Sequence, residues 1–119
     1  MELQRLDQYK ARFKEFTDKI GSLQNYLLEL NKQSKDPPII TPYVLSQQLH
    51  VPEGDALFLL SLAAKENILQ RKFYVFSNED NQLGEYPDAE SIPDVITDYS
   101  GDNFDRDHYY VDLGFELDK

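Results

Sequence analysis

The sequence predicts an α+β protein: a long N-terminal amphipathic helix, a helical middle and an acidic β-rich end. Three observations carry that reading. Apolar residues recur every seven and every three to four positions through the first 30 residues. Two short capped helices are then bounded by proline turns. Finally, a strictly alternating run closes the chain, within a stretch that holds nearly all the surplus acid.

The first segment, residues 1–36, carries the heptad stripe. Leu6, Phe13, Ile20 and Leu27 sit seven apart, and Tyr9, Phe16, Leu23 and Leu30 each follow by three. Arg5, Lys10, Arg12 and Lys19 flank the stripe without an acid among them. A parallel pair of identical helices would set those bases against each other, so an acidic surface suits the flanks better. The eight stripe residues are candidate partner-binding residues in a coiled-coil-like contact. That contact joins either another chain, including a second copy as a homo-oligomer, or the rest of this one. Bulky aromatics in the seam fit a tight two-stranded coil poorly. The paired prolines of Ser34-Lys35-Asp36-Pro37-Pro38 are expected to end the helix in a linker.

The middle segment, residues 37–78, is electrically neutral. Ile39-Ile40 is a short strand candidate. Thr41-Pro42 then supplies an N-cap and a first-turn proline for a helix over Pro42–Leu49, with Val44, Leu45 and Leu49 inward. His50-Val51-Pro52 makes a turn. A second helix follows from about Pro52 to Glu66, burying Ala56, Leu57, Leu59, Leu60, Ala63 and Ala64, with Asn67 as its stop. Arg71–Phe76 reads as a strand. The run Thr41-Pro-Tyr-Val-Leu-Ser-Gln-Gln-Leu-His-Val-Pro, with the later Ala-Ala-Lys-Glu-Asn-Ile-Leu, resembles the winged helix-turn-helix superfamily over about 40 residues. That resemblance implies a winged-helix core, with Arg71–Phe76 entering the wing.

The resemblance also implies a second helix placed to read DNA. Its expected outer residues are Glu53, Asp55, Ser61, Lys65 and Glu66, three acids against one base. No Arg or Asn is there to read a base edge, and Glu79 and Asp80 stand where a wing would want cations. A winged-helix DNA-binding regulator is therefore the weakest of the three functional expectations, and nucleic acid is not an expected partner.

The third segment, residues 79–119, is an acidic β extension expected to pack on the wing. It holds 13 acids against Arg106 and Lys119, net −11, whereas the whole chain is −10. Tyr109, Val111, Leu113, Phe115 and Leu117 alternate with polar residues as a strand with one buried face, and Lys72–Phe76 is its expected mate. Leu83–Tyr86 is a short strand after a turn at Asn78–Asn81, and Ser91–Ile96 is a small apolar anchor.

Phe73-Tyr-Val-Phe-Ser-Asn-Glu-Asp, Glu90-Ser-Ile-Pro-Asp-Val-Ile and His108-Tyr-Tyr-Val-Asp-Leu-Gly-Phe occur in that order. They resemble a zinc-ribbon-like unit that follows a winged helix in some bacterial conflict and signalling proteins. Ser77–Asp80 and Asp98–Gly101 stand where its two cysteine knuckles would fall. This chain has no cysteine, so the resemblance implies a ribbon without metal.

Chemistry-bearing patterns are sparse. Lack of cysteine excludes disulfides, thiolate metal sites and a cysteine nucleophile. There is no phosphate-cradling glycine loop. Asp98, Asp102, Asp105 and Asp107 are dense enough to suggest calcium, but lack the Asp-x-Asp-x-Asp-Gly spacing with its later Glu. Asp107-His108 suggests a base with its orienter, yet no nucleophile motif accompanies it. The expectation is no enzyme, no cofactor and no metal. No apolar run is long enough for a membrane span and no signal core opens the chain, which points to the cytoplasm.

Asp98, Tyr99, Asp102, Phe104, Asp105, Asp107 and Tyr110 form the second candidate binding group. Tyrosine offers an apolar face with a polar tip, and surrounding carboxylates suit a basic protein. Two functions fit: an adaptor or accessory subunit of a bacterial multi-protein system, in defence for example, or an acidic mimic of nucleic acid that inhibits a basic nucleic-acid-binding protein.

Overall fold

A computed structural model describes residues 2–33 and 38–118. The linker expected at Ser34–Pro38 lies, apart from Pro38, outside the described residues. Four helices precede five strands: α1 (Asp7–Arg12), α2 (Thr17–Gln33), α3 (Pro42–Leu49) and α4 (Glu53–Lys65), then β1 (Leu69–Ser77), β2 (Gln82–Tyr86), β3 (Ile96–Thr97), β4 (Asn103–Phe104) and β5 (Tyr109–Leu117). No helix among the described residues is long and apolar enough to cross a membrane. The chain divides into two units, one of Met1–Gln70 with Phe115–Lys119 and the other of Arg71–Gly114.

In the first unit the expected single N-terminal helix is broken. Phe13 leaves the helical region at φ −122° and ψ 72°, between α1 and a short 3-10 turn over Lys14–Phe16. The Thr17 hydroxyl caps the exposed end of α1 by donating to the Lys10 carbonyl at 2.9 Å. Gln24 then donates to the Leu3 carbonyl and to Asp7 at 2.9 and 3.0 Å. A continuous helix would hold Gln24 roughly 25 Å from Asp7, so the chain doubles back. The heptad stripe is thus two amphipathic pieces folded together. Leu6, Ile20, Leu23 and Leu27 are fully buried, Tyr9 is nearly so, and Phe13, Phe16 and Leu30 are half-buried. Phe13 and Phe16 pack against Phe58 of α4, with ring centroids 5.1 and 4.9 Å apart. The stripe therefore packs largely within this unit, one of the two uses expected of it.

α3 starts as the sequence dictates: the Thr41 hydroxyl accepts from the Val44 amide at 3.1 Å, and Pro42 needs no hydrogen bond in the first turn. His50 closes it in the left-handed region at φ 56°, and Asn67 does the same after α4 at φ 58°. Two inward expectations fail. Val44 and Leu57 are exposed. On α4 the spacing Ala56, Leu59, Leu60, Ala63 defines the buried face, and Leu57 falls opposite it with Glu53 and Ser61. Ser46 and Leu62 are buried instead, with the Ser46 hydroxyl satisfied by the Tyr43 carbonyl at 2.6 Å. Ile40 and Phe115 exchange both backbone hydrogen bonds, at 2.7 and 2.8 Å, as a single antiparallel bridge.

The strands form a three-stranded sheet in the order β2-β1-β5 and a separate small β3-β4 pair. β1 and β2 pair antiparallel, Phe73 opposite Tyr86, with a register shift between Val75 and Phe76. The expected pairing of the β1 strand with the last one is present. The alternation of β5 is only partly one of burial. Phe115 and Leu117 are buried, but Val111, on the same face, is exposed.

Candidate functional site

The acidic candidates gather in the second unit. Its residues 71–114 hold eleven Asp and Glu against Arg71, Lys72 and Arg106, a net charge of −8. Two tight turns organise it, and they are built alike. In the first, the Ser77 amide donates to the Asn81 carbonyl at 2.8 Å and the Asp80 amide to the Ser77 carbonyl at 2.9 Å. The Ser77 Oγ accepts from the amides of Glu79 and Asn81. In the second, the Asp98 amide donates to the Asp102 carbonyl at 2.9 Å and the Gly101 amide to the Asp98 carbonyl at 3.1 Å. Asp98 Oδ1 accepts from the amides of Ser100 and Asp102. The fourth residue of each turn has positive φ, 66° at Asp80 and 83° at Gly101. Each turn thus wraps its backbone amides around one side-chain oxygen of its first residue.

This arrangement fixes the candidate residues. Asp98 is the hub of the second turn and is half-buried; Tyr99, at its tip, is fully exposed. Asp102 and Phe104 stand on the far side of the same hairpin, where β3 and β4 pair Ile96 with Phe104. Ser77, Asn78 and Glu79 of the first turn and Asp102–Asp105 and His108 line one open cleft of about 500 Å3. Asp105 nucleates a third turn. Its Oδ1 accepts from the Asp107 amide at 3.1 Å and lies 2.5 Å from His108 Nδ1. That hydrogen bond holds the Asp105 carboxyl below its ordinary range and raises the His108 imidazole above its own.

Asp107 contributes its carbonyl to the Asn78 side chain at 3.3 Å. Tyr110 stacks on Phe76, centroids 5.4 Å apart, and its hydroxyl donates to Asp80 at 2.6 Å. The carboxylate at the hydroxyl pushes the Tyr110 phenol up to about 12. No group of three or more acids or histidines among the described residues could hold a metal ion.

Comparison with known proteins finds no matching family model, no matching curated protein and no matching solved structure.

The second unit exposes apolar side chains beside its carboxylates. Val95 is 52% exposed, Val111 41% and Tyr110 38%. Val95 and Val111 are the residues that sequence reasoning passed over. Val95 lies in a stretch read as an apolar anchor, where Ile96 alone is buried. Val111 lies in an alternation read as wholly inward. The signal that could have found them is their setting, single apolar residues among Asp94, Tyr110 and Asp112. Arg106 pairs with Asp94 at 2.7 Å and Lys72 with Glu85 at 3.3 Å.

The outer face of α4 differs in charge from the acidic unit. Glu53, Gly54, Leu57, Ser61 and Lys65 are exposed, one acid against one base. Asp55 is half-buried and ion-paired with Lys19 at 2.7 Å, and the half-buried Glu66 accepts from Gln8 at 2.5 Å.

Proposed function

We propose that this chain is a non-enzymatic docking subunit, an adaptor in a cytoplasmic bacterial multi-protein system, and that its acidic unit engages a basic protein surface. One observation carries the reading: net charge −8 coincides with exposed Val95, Tyr99, Tyr110 and Val111 in one 44-residue unit. Carboxylates speed the encounter with a cationic partner, and the apolar and aromatic faces supply the contact that outlasts it.

The first unit is read as a winged-helix scaffold. What supports this is the sheet order, in which the Ile40 bridge lies beside β5 and β5 beside β1, together with three preceding helices α2, α3 and α4. Residues 78–108 then occupy the place of the wing. The paired oxygen-centred turns at Ser77 and Asp98 favour the metal-free ribbon reading of that insertion. The neutral outer face of α4 argues for a scaffold used in protein docking rather than in reading bases.

The test is capture from the native source on immobilised full-length protein, alongside the variant Tyr99→Ala with Asp102→Lys and Asp107→Lys. The expected result is a basic protein, retained by the natural chain and lost by the variant. Retention by both would overturn the reading. The excess of carboxylates favours one other function, a nucleic-acid mimic. It predicts that the captured protein is a nucleic-acid binder and that added DNA displaces it.

A further inference from the structure

We infer that the outer edge of β5 takes up an extended, basic peptide segment of the partner as an added antiparallel strand. The inference rests on the proposed acidic docking function and specifies how docking occurs. β5 is the end strand of its sheet, and its edge polarity follows from one bridge. Phe115 exchanges both of its backbone hydrogen bonds with Ile40, away from β1. Along a strand, backbone groups alternate between the two neighbours. Leu113, Val111 and Tyr109 therefore also direct their N–H and C=O groups to the outer edge. The chain that carries Ile40 turns into α3 at Pro42, so it does not continue along β5. Among the described residues, no strand pairs with Tyr109–Leu113 on that side.

An open row of donors and acceptors is a template for strand addition. The other end of the sheet differs. Thr97–Tyr99 border Gln82–Gly84 across a cleft, and β2 has a register shift against β1. Beside the β5 edge, Val111 shares an open cleft of about 390 Å3 with Phe73, Ala89, Ile92 and Tyr109. It offers a seat for an apolar side chain of the added strand. Arg106, also at that cleft, is neutralised by Asp94. Asp105, Asp107 and Asp112 bracket the edge, within a unit of net −8. Those charges select a lysine- or arginine-bearing strand, and they oppose pairing with a second copy, whose identical edge carries the same acids.

The probe is a fluorescent peptide of alternating lysine and valine, roughly seven residues long, enough to span this edge. It is compared with an analogue N-methylated at alternate residues, which keeps the charge and removes the strand-forming donors. The full-length protein is used, with Val111→Pro as the variant. Proline there deletes an outward N–H and leaves the β1 ladder bonds intact. The expected result is salt-sensitive binding, weakened roughly tenfold by N-methylation and by Val111→Pro, with amide NMR shifts at Val111 and Leu113. The N-methylated peptide needs no variant, so a failure of Val111→Pro to fold leaves the question decidable. Equal binding of both peptides would overturn the edge and leave the acidic docking function standing. Failure of both peptides to bind at low salt would overturn both. A concentration-dependent dimer in sedimentation, abolished by Val111→Pro, would assign the edge to a second copy and overturn the basic partner.

Discussion

The two units are held together by different physics. Of the nineteen buried apolar residues among those described, only Tyr74, Val75 and Ile96 belong to the acidic unit. The other sixteen line the helical unit. Apolar burial stabilises by about 25 cal/mol per Å2, so the helical unit carries its own core. The acidic unit, with 44 residues and three buried apolar side chains, depends on strand pairing and on turns centred on single oxygens. Large apolar and aromatic side chains of this unit stand outside, at Val95, Tyr99 and Val111.

The largest expected effect breaks the helical unit. Leu59 is fully buried on the inner face of α4. Leu59→Ala should cost about 2–5 kcal/mol, through lost transfer energy and the cavity left behind. Chemical denaturation reads this as a lower midpoint. A cost under about 1 kcal/mol, within the range of ordinary surface changes, would show that apolar packing does not dominate this unit.

What could be read from the sequence follows the same divide. Thr41, Pro42, His50 and Asn67 act by local chemistry, and the structure uses each where the sequence places it. The apolar faces of α3 and α4 are legible to within one or two residues, because burial imposes the 3.6-residue period. The break at Phe13 was not legible. The heptad pattern continues through it, and only the distant Phe58 and Gln24 reveal that the two halves face each other. In the acidic unit the aligned β1 and β5 were legible from alternation, whereas the exposure of Val111 depends on what covers each face of the sheet. Ser77 and Asp98 were found by position alone. Their shared role is a matter of hydrogen-bond geometry, and nothing in a serine and an aspartate suggests that they do the same work.

The twin turns give a sharper test within the acidic unit. Ser77 is buried, and its hydroxyl is the acceptor for two amides. Ser77→Ala should cost about 1–3 kcal/mol, because two amides lose an acceptor that is itself buried. Asp98 accepts two amides as well, but in a half-exposed turn that water can reach. Asp98→Ala should cost about 1 kcal/mol, because solvent replaces the lost acceptor. Thermal unfolding of the two variants compares them directly. Equal losses would mean that burial does not separate the turns.

The smallest expected effect concerns pH and the exposed Asp105–His108 pair. His108 is raised above its ordinary 6.5, so the stability it adds is complete below 6.5 and is lost as pH rises through the folded value. Asp105 is lowered from 3.8, so its contribution is present above 3.8 and is lost as pH falls through the folded value. Both ions are therefore paired between 3.8 and 6.5, and the third turn of the acidic unit should be tightest in that window. Water screens an exposed pair, so the gain in stability is small, and the titration itself is the better readout. NMR of the His108 ring should give a pKa above 6.5 that Asp105→Asn returns toward it. Asp107 also raises His108, though less than Asp105 does. If Asp107→Asn moved the ring as far as Asp105→Asn, the general negative field of the unit would be the cause. A larger shift from Asp105→Asn would assign the effect to the turn, and with it the principle that hydrogen-bonded oxygens, more than diffuse charge, organise this half of the molecule.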